Sequence, residues 1–196
     1  MHQLRVELAE LGLPALDALE VDAIAAFVGS ERPLQGLAGF VDWRLCGALS
    51  RAIRGDDWDP VSGEALLLPS AGRLPTPRIF CFGLSSPEAQ LRGPALAAAC
   101  TRACDALARA GSAAFAAALP PHRPEHSAEA ARAWLEASLA RPVARQVLLG
   151  DPRTLHRDLA AARDALGARV ELVLPVQRVE LPARAAGLPP HGVVLR

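Results

Sequence analysis

The spacing of apolar positions changes along the chain, and each change marks an element. Residues 4–11 (LRVELAEL) alternate apolar and charged side chains, imperfectly, which predicts an edge strand. Residues 21–28 are a short β-branched and apolar run, interrupted only by Asp22 and closed by Gly29-Ser30, which reads as a buried strand. Leu34, Leu37, Val41, Leu45, Leu49 and Ile53 follow at three- and four-residue spacing, predicting one amphipathic helix over 34–53 with Asp42, Arg44 and Arg51 on its outer side and Gly55 as its stop. The segment DDWDPVSG (56–63) has turn chemistry. Residues 65–68 and 78–82 read as a hairpin-like pair of strands, joined by SAGRLPTP as an exposed loop.

Beyond Gly83, Ser86 before Pro87-Glu88 has the form of a helix N-cap with proline at the first helical position. Residues 94–110 predict an Ala-rich helix ending near Gly111, and 113–119 a strand of small residues that a central parallel sheet tolerates. PPHRPEH (120–126) is a loop. Ser127 is read as the cap of an amphipathic helix with Ala131, Trp134, Leu135 and Leu139 inward. RQVLL (145–149) is a strand, Asp151-Pro152 opens another helix, and RVELVL (169–174) is the last strand. Strand and helix in alternation predict an α/β architecture, a mixed and mostly parallel sheet with helices on both faces. The chain divides into a domain over 1–175 and a Pro-containing tail over 176–196, expected as an extended arm over the domain or into a partner, or as partly disordered.

Composition narrows the function classes. With 196 residues, 51% of them hydrophobic and 21% charged, the chain suits one globular domain with a substantial core. The 21 basic residues balance 21 acidic ones, which removes the footprint of a general nucleic-acid binder and favours self-association. Arginines of the second half (Arg132, Arg141, Arg145, Arg153, Arg157, Arg163) interleave with Glu129, Glu136, Asp151, Asp158 and Asp164, as ion-paired helix faces do. Every basic residue is Arg, and Lys, Asn and Tyr are absent, so no Schiff-base lysine, tyrosine acid or asparagine ligand is available. The four cysteines form no CxxC pair, and the N-terminus MHQLRVELAEL has charges in place of an apolar core. No apolar run of about 18 residues free of charge and proline predicts a membrane span. The expectation is a cytoplasmic protein with free thiols.

The segment FVDWRLCGALSRAIRGDDWDPVSGEALLLPSAGRLPTPRIFCFGLSSPEAQ resembles the N-terminal domain of cytosolic leucyl aminopeptidases, and RQVLLGDPRTLHRDLAAARDAL resembles the strand and helix that finish that domain. The similarity covers roughly residues 17–165. EVDAIAAFVG with LAGFVDWRLCGALSRAI, and AAFAAALPPHRPEHSAEAARAWLEASLARPVARQVLLGDPRTLHRDLAAARDAL, are also similar to the opening and closing halves of macro domains, whose fold the aminopeptidase N-terminal domain shares. Both resemblances imply a three-layer, macro-domain-like α/β fold over 1–175. In those aminopeptidases the two-metal centre is built from a lysine, aspartates and a glutamate of a larger C-terminal domain, and this sequence has no lysine. No catalytic residue, no metal ligand set and no cofactor are therefore expected here.

The resemblance to macro domains directs attention to the C-terminal ends of the strands, where parallel α/β sheets take ligands. The candidate ligand residues there are Gly29, Gly83, Ser85 and Ser86, beside the loop Leu119–His122. Asp22 is matched to a macro-domain aspartate; its plainer role is that of a strand-edge or capping carboxylate. Prolines 120, 121 and 124 remove the backbone N–H groups that would cradle a diphosphate. His122 and His126 form an HxxxH interrupted by Pro124, expected as a surface loop, and His156 lies on a solvated helix face. Cys81 reads as a core residue. Trp58, in an acidic turn, is expected to be partly exposed, as a cap over the core or an interface anchor. The function these features support is a non-catalytic macro-like module acting in protein interaction, assembly or regulation, with a protein partner or self-association. The alternatives are a domain for a nucleotide-like, ADP-ribose-type small molecule and the separate N-terminal half of a split aminopeptidase.

Overall fold

A computed structural model describes residues 3–84 and 90–175. Ser85 and Ser86, the helix cap proposed there and the tail over 176–196 lie outside the described residues. Seven strands form one sheet: β1 (Leu4–Glu10), β2 (Ala23–Val28), β3 (Ala65–Pro69), β4 (Arg78–Gly83), β5 (Ala114–Ala117), β6 (Arg145–Gly150) and β7 (Val170–Val173). Their spatial order is β3-β4-β2-β5-β6-β1-β7. Only the β3–β4 pair is antiparallel, as the hairpin-like pattern predicted.

Helices cover both faces. On one side lie α1 (Leu13–Asp17), α2 (Gly36–Arg44) and α3 (Ala48–Arg54); on the other lie α4 (Gly93–Arg109), α5 (Ser127–Leu139) and α6 (Pro152–Leu166). Burial on both faces explains why β2 reads as an unbroken apolar run. Its alternate residues serve two cores: Ala23, Ala25 and Phe27 face the α4–α6 layer, while Ile24, Ala26 and Val28 face α1–α3. The first core centres on Trp134, whose ring meets Phe27 and Phe115 edge-on, each at 6.2 Å between centroids. The Trp134 indole N–H donates to Gln146 Oε1 at 2.9 Å within that core.

Four expectations are corrected. The helix predicted over 34–53 is two helices. Cys46 (φ 52°) and Gly47 (φ 78°) adopt left-handed backbone, and Gly47 N–H closes on Asp42 O at 2.8 Å, a helix-ending turn that sends α3 back alongside α2. The Asp42 carboxylate then accepts from Ser50 N–H (3.0 Å) and the Ser50 hydroxyl (2.5 Å), stitching the two helices. Strand β1 is not an edge: it lies between β6 and β7. The loop over 70–77 is only partly exposed, because Ser70, Leu74 and Thr76 turn inward. Finally, α5 begins at Ser127 with His126 in the cap position, and Leu139 faces solvent.

Glu7 explains how a charge is tolerated on an internal strand. Arg145 of β6 grips its carboxylate with two bonds, at 3.0 and 2.9 Å, and Arg5 adds a third at 2.9 Å. The Arg145 bonds chiefly, against the opposing effect of burial, hold the Glu7 carboxyl down at about 2, from an ordinary 4.5. Because the folded carboxyl is the stronger acid, its contribution is complete above about pH 4.5 and drains away as pH falls towards 2. Glu7→Gln is therefore expected to lower unfolding free energy by about 1–2 kcal/mol at neutral pH, after solvent screening. In denaturant titrations across pH, the gap between the two proteins should close in that acid window. A gap constant down to pH 2 would contradict the assignment.

Candidate functional site

The strand order brings the ends of β2, β4, β5 and β6 together along one crest of the sheet. Gly29 follows β2 and Gly83 ends β4, and the two lie close together, since Val28 pairs with Gly83. Among the described residues, each glycine has a close neighbour where a Cβ would stand. A Cβ on Gly29 would stand 3.4 Å from Leu84 Cδ1, and Leu84 is itself buried, its N–H donating to Val28 O at 3.2 Å. The Gly29 carbonyl accepts from the Arg32 guanidinium at 3.0 Å. At Gly83 a Cβ would lie 2.3 Å from Pro60 O, so the turn after α3 sits directly on the strand end. Gly83 N–H donates to Glu64 O at 3.1 Å, and its carbonyl accepts from Arg102.

The exit of β5 is equally occupied. Leu91 N–H donates to Pro121 O at 2.7 Å, the His122 ring lies 2.7 Å from Pro120 O, and Arg123 donates to Gln90 Oε1 at 3.2 Å. Pro120 and Pro121 bring no N–H groups to this point. Behind it Asp158 is buried, 6% exposed, on α6. Burial alone would raise its carboxyl. Hydrogen bonds from Arg157 and Ser127, with His122 nearby, outweigh burial and hold it below the usual range. Sequence reading placed Asp158 among exposed ion pairs and missed this contact, which joins segments remote along the chain.

At the end of β6 the α6 N-terminus could in principle hold an anion. Asp151 fills that role: its carboxylate accepts from Thr154 N–H at 3.1 Å, Arg153 N–H at 3.4 Å and the Thr154 hydroxyl at 2.5 Å. The Thr154 hydroxyl chiefly holds the Asp151 carboxyl below its ordinary value. The cleft of about 770 Å³ beside it is lined by Glu10 and Asp151 against the single Arg153, a net negative lining that disfavours phosphate.

Asp22 does not join the other candidates. It precedes β2, at the opposite edge of the sheet, six strand residues or roughly 20 Å from Gly29. Its Oδ2 accepts from Ala114 N–H at 2.9 Å and its own N–H donates to Ala114 O at 2.9 Å, pinning β2 to β5. That is the strand-edge role named above. The two histidines of the HxxxH engage different partners, His122 the Pro120 carbonyl and His126 the Glu129 carboxylate at 3.3 Å. Among the described residues no group of three or more His, Cys, Asp or Glu is arranged to hold a metal ion.

Thiol chemistry follows burial. Cys81 and Cys100 are pushed up to about 12 and Cys104 to about 11, in each case mainly by desolvation, so none is a ready thiolate. Cys46 alone of the four is exposed. A thiol reagent is expected to add once to the native protein, at Cys46, and four times in denaturant, read by intact mass. Two or more adducts on the folded protein would contradict this burial pattern.

The partial exposure expected of Trp58 is corrected. Trp58 is 5% exposed, turned in beneath its acidic segment, whereas Trp43 is 63% exposed on the outer side of α2. Trp43 borders a cleft of about 960 Å³ along the α2–α3 hairpin, which Arg32, Pro33 and Leu34 line from the loop after β2. The Arg44 guanidinium lies 5.1 Å from the Trp43 ring centroid.

No protein-family model and no curated protein sequence matches this one. Solved structures do share its fold. A tomato leucine aminopeptidase mutant aligns over 85% of this chain with a TM-score of 0.57 and 18% identity; the chain spans only 36% of that enzyme. An Oceanobacillus iheyensis macrodomain mutant described with ADPR aligns over 82% of this chain and 91% of its own, with a TM-score of 0.59 and 14% identity. The macrodomain of Thermus aquaticus DarG aligns over 78% of this chain and 100% of its own, with a TM-score of 0.56 and 15% identity. The chain thus has a macro-like α/β fold, of the kind found both in macrodomains and in the leucine aminopeptidase N-terminal domain.

Proposed function

We propose that this chain is a non-catalytic, macro-like module that acts through protein interaction, in assembly or regulation. The observation that carries this reading is the state of the crest. Where a macro domain would receive a nucleotide diphosphate, Leu84 backs Gly29, Arg32 covers the Gly29 carbonyl, and Pro60 sits on Gly83. The prolines after β5 remove the N–H donors a diphosphate needs, and Asp151 occupies the α6 N-terminus. What the module offers instead is surface, notably the exposed Trp43 beside a basic cleft. Apolar aromatic side chains with arginine neighbours are favoured at protein interfaces. Free thiols suit a reducing compartment, and we place the protein in the cytoplasm. Among the described residues no helix is long and apolar enough to cross a membrane.

A second reading, binding of an ADP-ribose-type ligand, is favoured by the likeness to a macrodomain described with ADPR. Calorimetric titration separates the two. Under the interaction reading ADP-ribose gives no heat above dilution. Saturable binding at micromolar concentration would replace it with the second.

A further inference from the structure

We propose that the cleft over the α2–α3 hairpin is a docking groove for an acidic peptide segment of a partner protein, with one apolar side chain of that segment seated beside Trp43. The proposal rests on the protein-interaction reading and gives it a place and a chemistry.

Charge is the first argument. Arg32, Arg44, Arg54 and Arg73 line the groove, against the single carboxylate of Asp42. That carboxylate is already taken up by Ser50, through both the N–H and the hydroxyl. Arg54 makes no hydrogen bond or ion pair among the described residues. The Arg73 side chain donates only to Cys46 Sγ, at 3.0 Å, and Arg44 is paired with Asp17. Arg32 donates to the Gly29 and Glu31 carbonyls and Arg44 is engaged with Asp17 and Trp43, so the guanidinium groups left for a ligand are those of Arg54 and Arg73, in a groove whose lining is still four arginines to one aspartate. Guanidinium recognises carboxylate through paired, parallel hydrogen bonds, so the complementary partner is rich in Asp or Glu.

Shape is the second. The groove continues into an apolar hollow of about 420 Å³ that shares Leu34, Gly39 and Trp43 with it and adds Leu13 and Phe40. Gly39 and Gly47 keep the floor low, and the cleft is open to solvent along its length. An open trough between two helices suits an extended segment, and the hollow at one end suits a single large apolar side chain. The other two tryptophans are buried in the cores, which leaves Trp43 as the anchor and as a spectroscopic reporter.

The test uses the full chain and a synthetic peptide repeating Glu-Glu-Leu, with a Lys-Lys-Leu repeat and inorganic polyphosphate as comparators. Binding is read by anisotropy of the labelled peptide and located by tryptophan emission. The expected result is saturable binding of the acidic peptide with a blue shift of emission that Trp43→Phe abolishes. Affinity should fall about tenfold or more in Arg54→Glu with Arg73→Glu, two exposed changes, and should fall as salt is raised. The basic peptide should not bind. Failure of the acidic peptide to bind, binding unchanged by the arginine reversals, or binding of polyphosphate in place of the peptide would each overturn the proposal. ADP-ribose in the same assay separates the two levels. If it binds at the crest, the interaction reading falls and the groove with it; if it and the acidic peptide are both silent, the groove alone is wrong.

Discussion

Trp134→Ala is expected to lower unfolding free energy by about 4 kcal/mol, the largest loss of any single truncation in this protein. The side chain is fully buried and stands where α5 meets β2, β5 and β6. Removing it empties the space between the Phe27 and Phe115 rings, and small side chains such as Ala130 and Ala131 around it cannot grow to refill it. It also strands Gln146. The Gln146 amide is completely buried, its Oε1 accepts only the Trp134 indole proton, and its Nε2 has no partner. Losing the indole leaves both ends of a buried amide unsatisfied, which adds to the cavity cost. Removing Gln146 together with the tryptophan, as Trp134→Phe with Gln146→Leu, is expected to cost less than Trp134→Ala alone, because no polar group is then orphaned. Urea denaturation of the three proteins measures this. A Trp134→Ala loss under about 2 kcal/mol would show that Trp134 does not centre the core between the sheet and α4–α6.

Gly83→Ala is the second. Adding one methyl group elsewhere on a strand is near neutral, but here the new Cβ would lie 2.3 Å from Pro60 O and 2.9 Å from Pro60 C. These are backbone atoms, and the Pro60 segment is held from both sides: Val61 N–H donates to Asp59 Oδ1 at 2.9 Å, and Gly83 N–H donates to Glu64 O at 3.1 Å. Either the turn lifts off the strand end or β4 shifts in register. Either change disturbs the packing around Trp58, which lies two residues before Pro60 and is buried, and the expected loss is about 2–3 kcal/mol. The same change at Gly111, where nothing lies within 4 Å but φ is +68°, should cost less. Equal melting temperatures for Gly83→Ala and the parent would contradict the close approach of Pro60.

These two positions show which features could be read from the sequence. The strands buried on both faces were legible because both alternating faces are apolar: β2, β4 and β6 fall within two residues of their expected bounds. The stripe Leu37, Val41, Leu45, Leu49 was also right about what is buried. It could not show that the chain reverses at Cys46-Gly47, because α3 returns against the same core and keeps the period intact. Gly47 was the available signal, a residue suited to left-handed backbone in mid-stripe. That stripe also leaves Trp43 on the outer side of the helix, so its exposure was legible, whereas the acids flanking Trp58 suggested the opposite of its burial. The contacts that decide the site were out of reach. Asp22 meets Ala114 and Glu7 meets Arg145 only through strand order, across 92 and 138 positions. Leu84 against Gly29 and Pro60 against Gly83 are likewise products of packing, with no local pattern to announce them.

An amide-resolved NMR titration with ADP-ribose, followed at Gly29, Leu84, Leu91 and Gly150, tests most directly whether the crest is filled by the protein's own atoms. A filled crest predicts that these four signals stay in place as ligand is raised into the millimolar range, while the protein remains folded. Shifts clustered at those residues and saturating at micromolar ligand would mean that Leu84 and the post-β5 loop yield to a nucleotide.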